Sequence, residues 1–169
     1  MDIMLDIETL ATHKRAPIIE IAAVKFDAGT IYPNYFHYFI KPDFSRFPPD
    51  NDTLLFWLEQ PRPMPLSKSA PLEPIVLDRL TEWMGLSIGR LWANSPSFDL
   101  AILSEHYLAY GMPIPWRYRA EWDFRTLRRL AELLDYPVER QPATHEALDD
   151  AIQQAKLVQA IWKGLSLGT

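Results

Sequence analysis

The sequence reads as an α/β chain built on a mixed sheet. Strand-like segments crowd the first forty residues and a proline-dense stretch interrupts the middle. In the second half, helix-period segments alternate with short apolar runs. Its 169 residues suit one domain spanning 1–169, long enough to bury a core without covalent staples.

Ile3, Leu5 and Ile7 alternate with Met4, Asp6 and Glu8, the period of a strand. A loop over 9–16 leads to Pro17 and the apolar run Ile18 to Phe26, and Asp27-Ala28-Gly29 signals a turn. The aromatic segment Tyr35 to Ile40 has the composition of a third strand. Three strands so closely spaced suggest an antiparallel meander. From Pro42 to Pro74 stand eight of the fifteen prolines, a density that few long helices or central strands survive. A short helix around Thr53 to Glu59 is expected within an otherwise irregular excursion at about 42–74. Such an excursion carries function or is a passive insertion.

Beyond it, Ile75, Leu77, Leu80, Trp83 and Met84 fall on one helical face, and Leu91-Trp92-Ala93 reads as a short buried strand. Ser97 is placed to cap a helix running to about Tyr110, with Gly111 and Pro113 past its end. Arg119 to Phe124 is a candidate strand, followed by a helix from about Arg125 to Leu134, with Asp123 as a cap or strand-end residue. Thr144 is a candidate cap for a last helix, Glu146 to about Lys163, which Gly164 is expected to stop.

Composition narrows the chemistry. There is no cysteine, which excludes disulfide scaffolds, zinc–thiolate sites, iron–sulfur clusters and thiol nucleophiles. The longest apolar runs, such as Ile21 to Val24, fall far short of the ~20 residues of a membrane span, and the first residues carry no basic signal region. A soluble, cytoplasmic protein with no membrane partner is expected. Seventeen basic against twenty-two acidic residues give a net charge of −5, which argues against a broad basic face for duplex binding. It leaves open a carboxylate site whose bound cations cancel the excess locally.

Asp6 and Glu8 stand two apart on a strand, so their carboxylates share a face and repel unless a cation or donor lies between them. Taken alone, Asp-x-Glu is ordinarily a solvated strand edge. Asp99 sits in the first turn of a helix, where a carboxylate favours the macrodipole. His145 and Asp150 are ~140° apart on an ideal helix and converge only if His145 precedes the helix and Asp150 lies one turn in. Each signal has a purely structural explanation. Their combination in this order shifts the balance toward a site.

Asp-x-Glu, a later Asp opening a helix, and His-x4-Asp resemble the three motifs of the DEDDh (DnaQ-like) 3′–5′ exonucleases of the ribonuclease-H-like superfamily. The matching residues are Asp6 and Glu8, then Asp99, then His145 and Asp150. The stretches Thr53 to Gln60, Pro115 to Tyr118 and Ala155 to Val158 extend the likeness to a phage, prophage and RNase AS-like subgroup. One departure lies in Asn94-Ser95-Pro96-Ser97-Phe98-Asp99-Leu100, where relatives often carry glycine near Ser95 and asparagine at Leu100.

The resemblance implies a ribonuclease-H-like sheet, with parallel strands added to the antiparallel three and helices on both sides. It implies two divalent cations, Mg²⁺ or Mn²⁺, held by Asp6, Glu8, Asp99 and Asp150, with His145 as general base. The partner would be a single-stranded nucleic-acid 3′ end, the product a nucleoside 5′-monophosphate, and the assembly a homodimer. Thr9 and Leu10 would approach the terminal nucleotide, and Trp57, Phe98 and Trp116 are candidate stacking platforms or core aromatics. Arg117, Arg119, Arg125, Arg128 and Arg129 form the densest basic cluster. Two other readings stand beside this one: a catalytically silent nucleic-acid-binding or adaptor domain of the same fold, and a ribonuclease-H-like endonuclease or resolvase. The filled catalytic positions speak against the first and His-x4-Asp against the second.

Overall fold

The computed structural model describes residues 1–138 and 142–165. The alternation at the start becomes β1 (Asp2–Thr9), which pairs antiparallel with β2 (Ile18–Phe26), which in turn pairs antiparallel with β3 (Phe36–Phe39). After α1 (Asn51–Glu59) and α2 (Glu73–Met84), β4 (Leu91–Ala93) joins β1 in parallel. Helix α3 (Asp99–Ala109) leads through a 3₁₀ turn to β5 (Glu121–Asp123), parallel to β4. Helices α4 (Phe124–Leu133) and α5 (Ala147–Leu165) complete the described chain. The sheet order is β3-β2-β1-β4-β5, the expected antiparallel three extended by two parallel strands.

Central β1 is covered on both faces, and its period of two sorts its side chains between them. Ile3, Leu5 and Ile7 pack with Val76, Leu77 and Leu80 of α2 and Leu100, Leu103 and Tyr107 of α3. Met4 turns the other way, with Val24, Phe26 and Trp92, onto Ala151, Ala155, Val158 and Trp162 of α5. Asp6 and Glu8 continue the Met4 series. Parity alone therefore aims both carboxylates at the α5 side. Three alanines on that helix, Ala147, Ala151 and Ala155, are fully buried and let it settle close to the strands.

Several local expectations are corrected. Ile75 is exposed, because Pro74 starts α2 on a phase that turns Val76, Leu77, Leu80 and Met84 inward instead. Ser97 caps nothing: its hydroxyl pairs with that of Ser95 at 2.6 Å, and α3 begins after Phe98. Gly164 does not stop α5, which runs on to Leu165. The lack of a side chain there makes room for the Tyr136 ring, whose hydroxyl donates to the Ala160 carbonyl at 3.0 Å. Trp116 is buried edge-on against Tyr107, with its indole N–H on Glu121 at 2.9 Å, so it is a core aromatic.

The proline-rich excursion is tied down. Asp50 caps α1, accepting from the Thr53 N–H at 2.7 Å and from the Thr12 N–H at 3.1 Å. Phe47 stacks on His106 at 3.6 Å between ring centroids. His106 is wholly buried, hydrogen-bonded to Glu73 through Nδ1, with Nε2 2.9 Å from the Ala16 carbonyl oxygen.

Candidate active site

The carboxyl ends of parallel strands are where α/β folds place their ligands, and β4 ends level with the middle of β1, leaving the last residues of β1 beyond it. Asp6 and Glu8 lie near the end of β1, and Asp99 opens the helix that follows β4. Asp150 lies in the first turn of α5, on its buried face, with Gln154 one turn further on. All of these border one open cleft of about 990 Å³, together with Asn94, Phe98, His145 and Arg125, Arg128 and Arg129 of α4.

Carboxylate oxygens of Asp6, Glu8 and Asp150 lie within 4.8 Å of one another. Asp99 borders the same cleft outside that trio. Burial, then Asp99 and Glu8, raises the Asp6 carboxyl well above the ordinary range, and the amide of Gln154, donating at 3.0 Å, partly counteracts this. Burial pushes Glu8 up to about 8, helped by Glu20 and Asp150 and opposed by Arg62. Burial pushes Asp99 up to about 7 against backbone hydrogen bonds from its own N–H and that of Ile7.

Crowded, desolvated carboxylates are what a hard divalent cation relieves, since it prefers oxygen donors. Two buried oxygens at the cleft, Asn94 Oδ1 and Gln154 Oε1, have no hydrogen-bond partner among the described residues. The donor set fits such an ion.

His145 precedes α5, as the 140° argument requires, and does so in the left-handed backbone region with φ at +56°. A non-glycine residue held there costs on the order of 1–3 kcal/mol and persists only where its surroundings over-determine it. Asp150 supplies one restraint, accepting from the His145 N–H at 3.1 Å and the Thr144 N–H at 3.0 Å. Thr144 does not cap α5: its hydroxyl accepts from the Glu146 N–H at 3.3 Å, ahead of the helix, which starts at Ala147 with the Glu146 carbonyl accepting its first bond. The imidazole packs edge-on to Phe56 and Trp57, with ring centroids 5.0 and 6.3 Å away.

The substrate-side candidates divide. Phe98 borders the cleft. Leu10 and Trp57 are instead buried in a small cluster with Ile19, and Thr9 is buried beside them, its carbonyl accepting from the Trp57 indole at 2.9 Å. Trp57 therefore packs as core, and its neighbour Phe56 is the exposed ring next to His145. Of the basic cluster, Arg125, Arg128 and Arg129 reach the cleft, while Asp123 caps their helix through the Arg125 and Thr126 N–H groups. Glu20 and Arg62 carried no sequence signal, and Gln154 almost none. Only the one-turn spacing from Asp150 pointed to Gln154.

A family model described as a 3′–5′ exoribonuclease Rv2179c-like domain matches residues 1–162. The chain belongs to that family. Its mixed sheet flanked by helices is the fold of ribonuclease-H-like exonucleases. Exonuclease I from Methylocaldum szegediense is similar in fold, with a TM-score of 0.75 at 17% identity, covering 95% of this chain and 40% of its own. A metal-free E. coli exonuclease I–single-stranded DNA complex gives 0.69 at 16% identity, covering 96% and 39%. The chain thus spans about two fifths of those exonuclease I chains. The nuclease domain of 3′hExo, a DEDDh family member bound to rAMP, gives 0.66 at 14% identity, covering 96% of this chain and 91% of its own. No curated protein sequence matches the chain. No described helix of this family member is long and apolar enough to cross a membrane.

Proposed function

We propose that this exonuclease removes nucleoside 5′-monophosphates one at a time from the 3′ end of single-stranded RNA, using two divalent cations, Mg²⁺ or Mn²⁺. The observation that carries the reading is the trio Asp6, Glu8 and Asp150, with oxygens within 4.8 Å of one another in a cleft that His145 also borders. The family's description as exoribonuclease supports RNA as the substrate.

Asp6, Glu8 and Asp150 would hold the cations, with Asp99 completing the set. Such ions neutralise phosphate charge and lower the pKa of water. The imidazole of His145 accepts the proton of the attacking water. As the water oxygen bonds to phosphorus, the bond from phosphorus to O3′ of the preceding nucleotide breaks, and that oxygen takes up a proton from solvent to leave as a free 3′-hydroxyl, the His145 imidazolium returning its proton to solvent. Phe98 offers an aromatic face to an unpaired base, and the α4 arginines line the approach of the phosphates.

The test is a time course on matched 5′-labelled single-stranded RNA and DNA with Mg²⁺ or Mn²⁺, with Asp150→Ala and a blocked 3′ end as controls. Ladders that shorten from the 3′ end, faster on RNA and absent in both controls, are expected. Intact oligonucleotides under both metals would overturn the reading.

A further inference from the structure

Arg62 belongs to the proline-rich excursion, far in sequence from every family motif, yet its guanidinium joins two elements of the active site. One nitrogen donates to the His145 backbone carbonyl. The other terminal nitrogen lies 2.8 Å from Glu20 Oε2 on β2. Its Nε lies 3.8 Å from Glu146, next to His145 in the chain. The arginine side chain is only 16% exposed and Glu20 1%, so this is an internal clasp rather than a solvated surface pair. His37 of β3 meets the other Glu20 oxygen at 2.8 Å, which fixes that carboxylate from a third direction.

His145 needs such a clasp. Its positive φ is held from the amide side by Asp150 and from the carbonyl side by Arg62, while Phe56 and Trp57 confine the ring. We propose that Arg62 is a positioning residue for His145, tying its carbonyl to the buried Glu20 so that the imidazole stays at the acidic cleft. On this account the excursion is part of the active centre. It delivers Arg62, Phe56 and Trp57 to one histidine.

The inference rests on His145 accepting the proton in catalysis, so its test has one arm that needs no catalysis. Arg62→Ala, Arg62→Lys and the exposed control Lys68→Ala are compared with the wild type. Arg62→Ala should lower kcat about 100-fold, the scale of a misplaced reacting group. KM should stay near its wild-type value, because ground-state binding is untouched. Added guanidinium at low millimolar concentration should restore part of kcat. Lysine keeps the charge on Glu20 but lacks the fork that serves two acceptors, so Arg62→Lys should show a smaller loss with the fold retained. In both variants the backbone amides of residues 144–150 should exchange with solvent faster while those of β1 stay protected, and Lys68→Ala should match the wild type throughout.

Wild-type kcat in Arg62→Ala overturns the proposal, and so does wild-type exchange over 144–150. If Arg62→Ala does not fold, Arg62→Lys carries both measurements. Wild-type protein inert on every oligonucleotide overturns the exonuclease reading and the catalytic role of the clasp. The exchange arm still decides whether Arg62 anchors the segment.

Discussion

Glu8 and Glu20 are direct partners across the antiparallel β1–β2 pair, two carboxylates that the strand register sets on the same face. Like charges so placed destabilise a sheet. Glu20 is neutralised from one side by Arg62, whereas Glu8 faces the crowded cleft, and this division of labour sets how the protein responds to pH and metal.

Burial and neighbouring carboxylates raise Glu8 from 4.5 to about 8, burial raises Asp99 from 3.8 to about 7, and Asp6 is raised as well. All three bind protons more tightly folded than unfolded. Their contribution to stability is fully present below the unfolded values and is lost as pH climbs through the folded ones. In chelator, Tm should fall as pH rises from about 5 to about 8. Mg²⁺ or Mn²⁺ should restore it most at the upper end, where the ligands give up their protons readily. A flat or rising Tm across that window in EDTA would contradict proton-loaded carboxylates.

Asp6→Asn should separate function from stability. It removes one anion from the trio while leaving an oxygen to accept from Gln154. Activity should drop by roughly 10³-fold or more, the scale for losing a member of a catalytic set. The metal-free protein at pH 8 should melt higher than the wild type, because like-charge repulsion has been relieved. Scanning calorimetry in EDTA beside a nuclease assay reads both. A lower Tm at pH 8 would mean that Asp6 is held for stability rather than for a cation.

Glu73 and His106 should behave in the opposite way. Both are buried, and their pair joins α2 to α3 and to the loop that ends at Ala16. Truncating Glu73 to alanine strands a buried imidazole, at a cost of about 3 kcal/mol, within the range for breaking a buried polar pair. Urea denaturation should show that loss while kcat of the remaining folded enzyme stays within about twofold, since no interaction made in the transition state has been removed. Unchanged stability would mean that water replaces the carboxylate without cost.

What was legible in the sequence followed from period and order. Alternation in β1 placed Asp6 and Glu8 together, and the spacing of His145 from Asp150 forced the histidine ahead of the helix, as found. Within Leu54-Leu55-Phe56-Trp57-Leu58 every residue is apolar, so no pattern distinguished the buried ring of Trp57 from the exposed ring of Phe56. Glu20 stands in a largely apolar strand, and its partner Arg62 lies 42 residues away in a segment with no periodicity. Contacts of that kind depend on where an irregular loop lands, which local chemistry does not encode.

Arg125 and Arg129 test the approach of the substrate. One turn apart on α4, both border the cleft beside Phe98, and Arg125 is braced on the Asn94 carbonyl at 3.1 Å. If each meets a phosphate of the incoming strand, replacing both with alanine should raise KM and leave kcat near wild type. The slope of log affinity against log salt should become shallower by about 1.4, since each single-strand phosphate contact contributes about 0.7. Fluorescence anisotropy of a labelled single strand with the Asp6→Asn protein, at several salt concentrations, measures this without turnover. Phe98→Ala should weaken binding equally at every salt concentration, because stacking releases no counterions. A salt slope unchanged by the arginine substitutions would place the strand on another wall of the cleft.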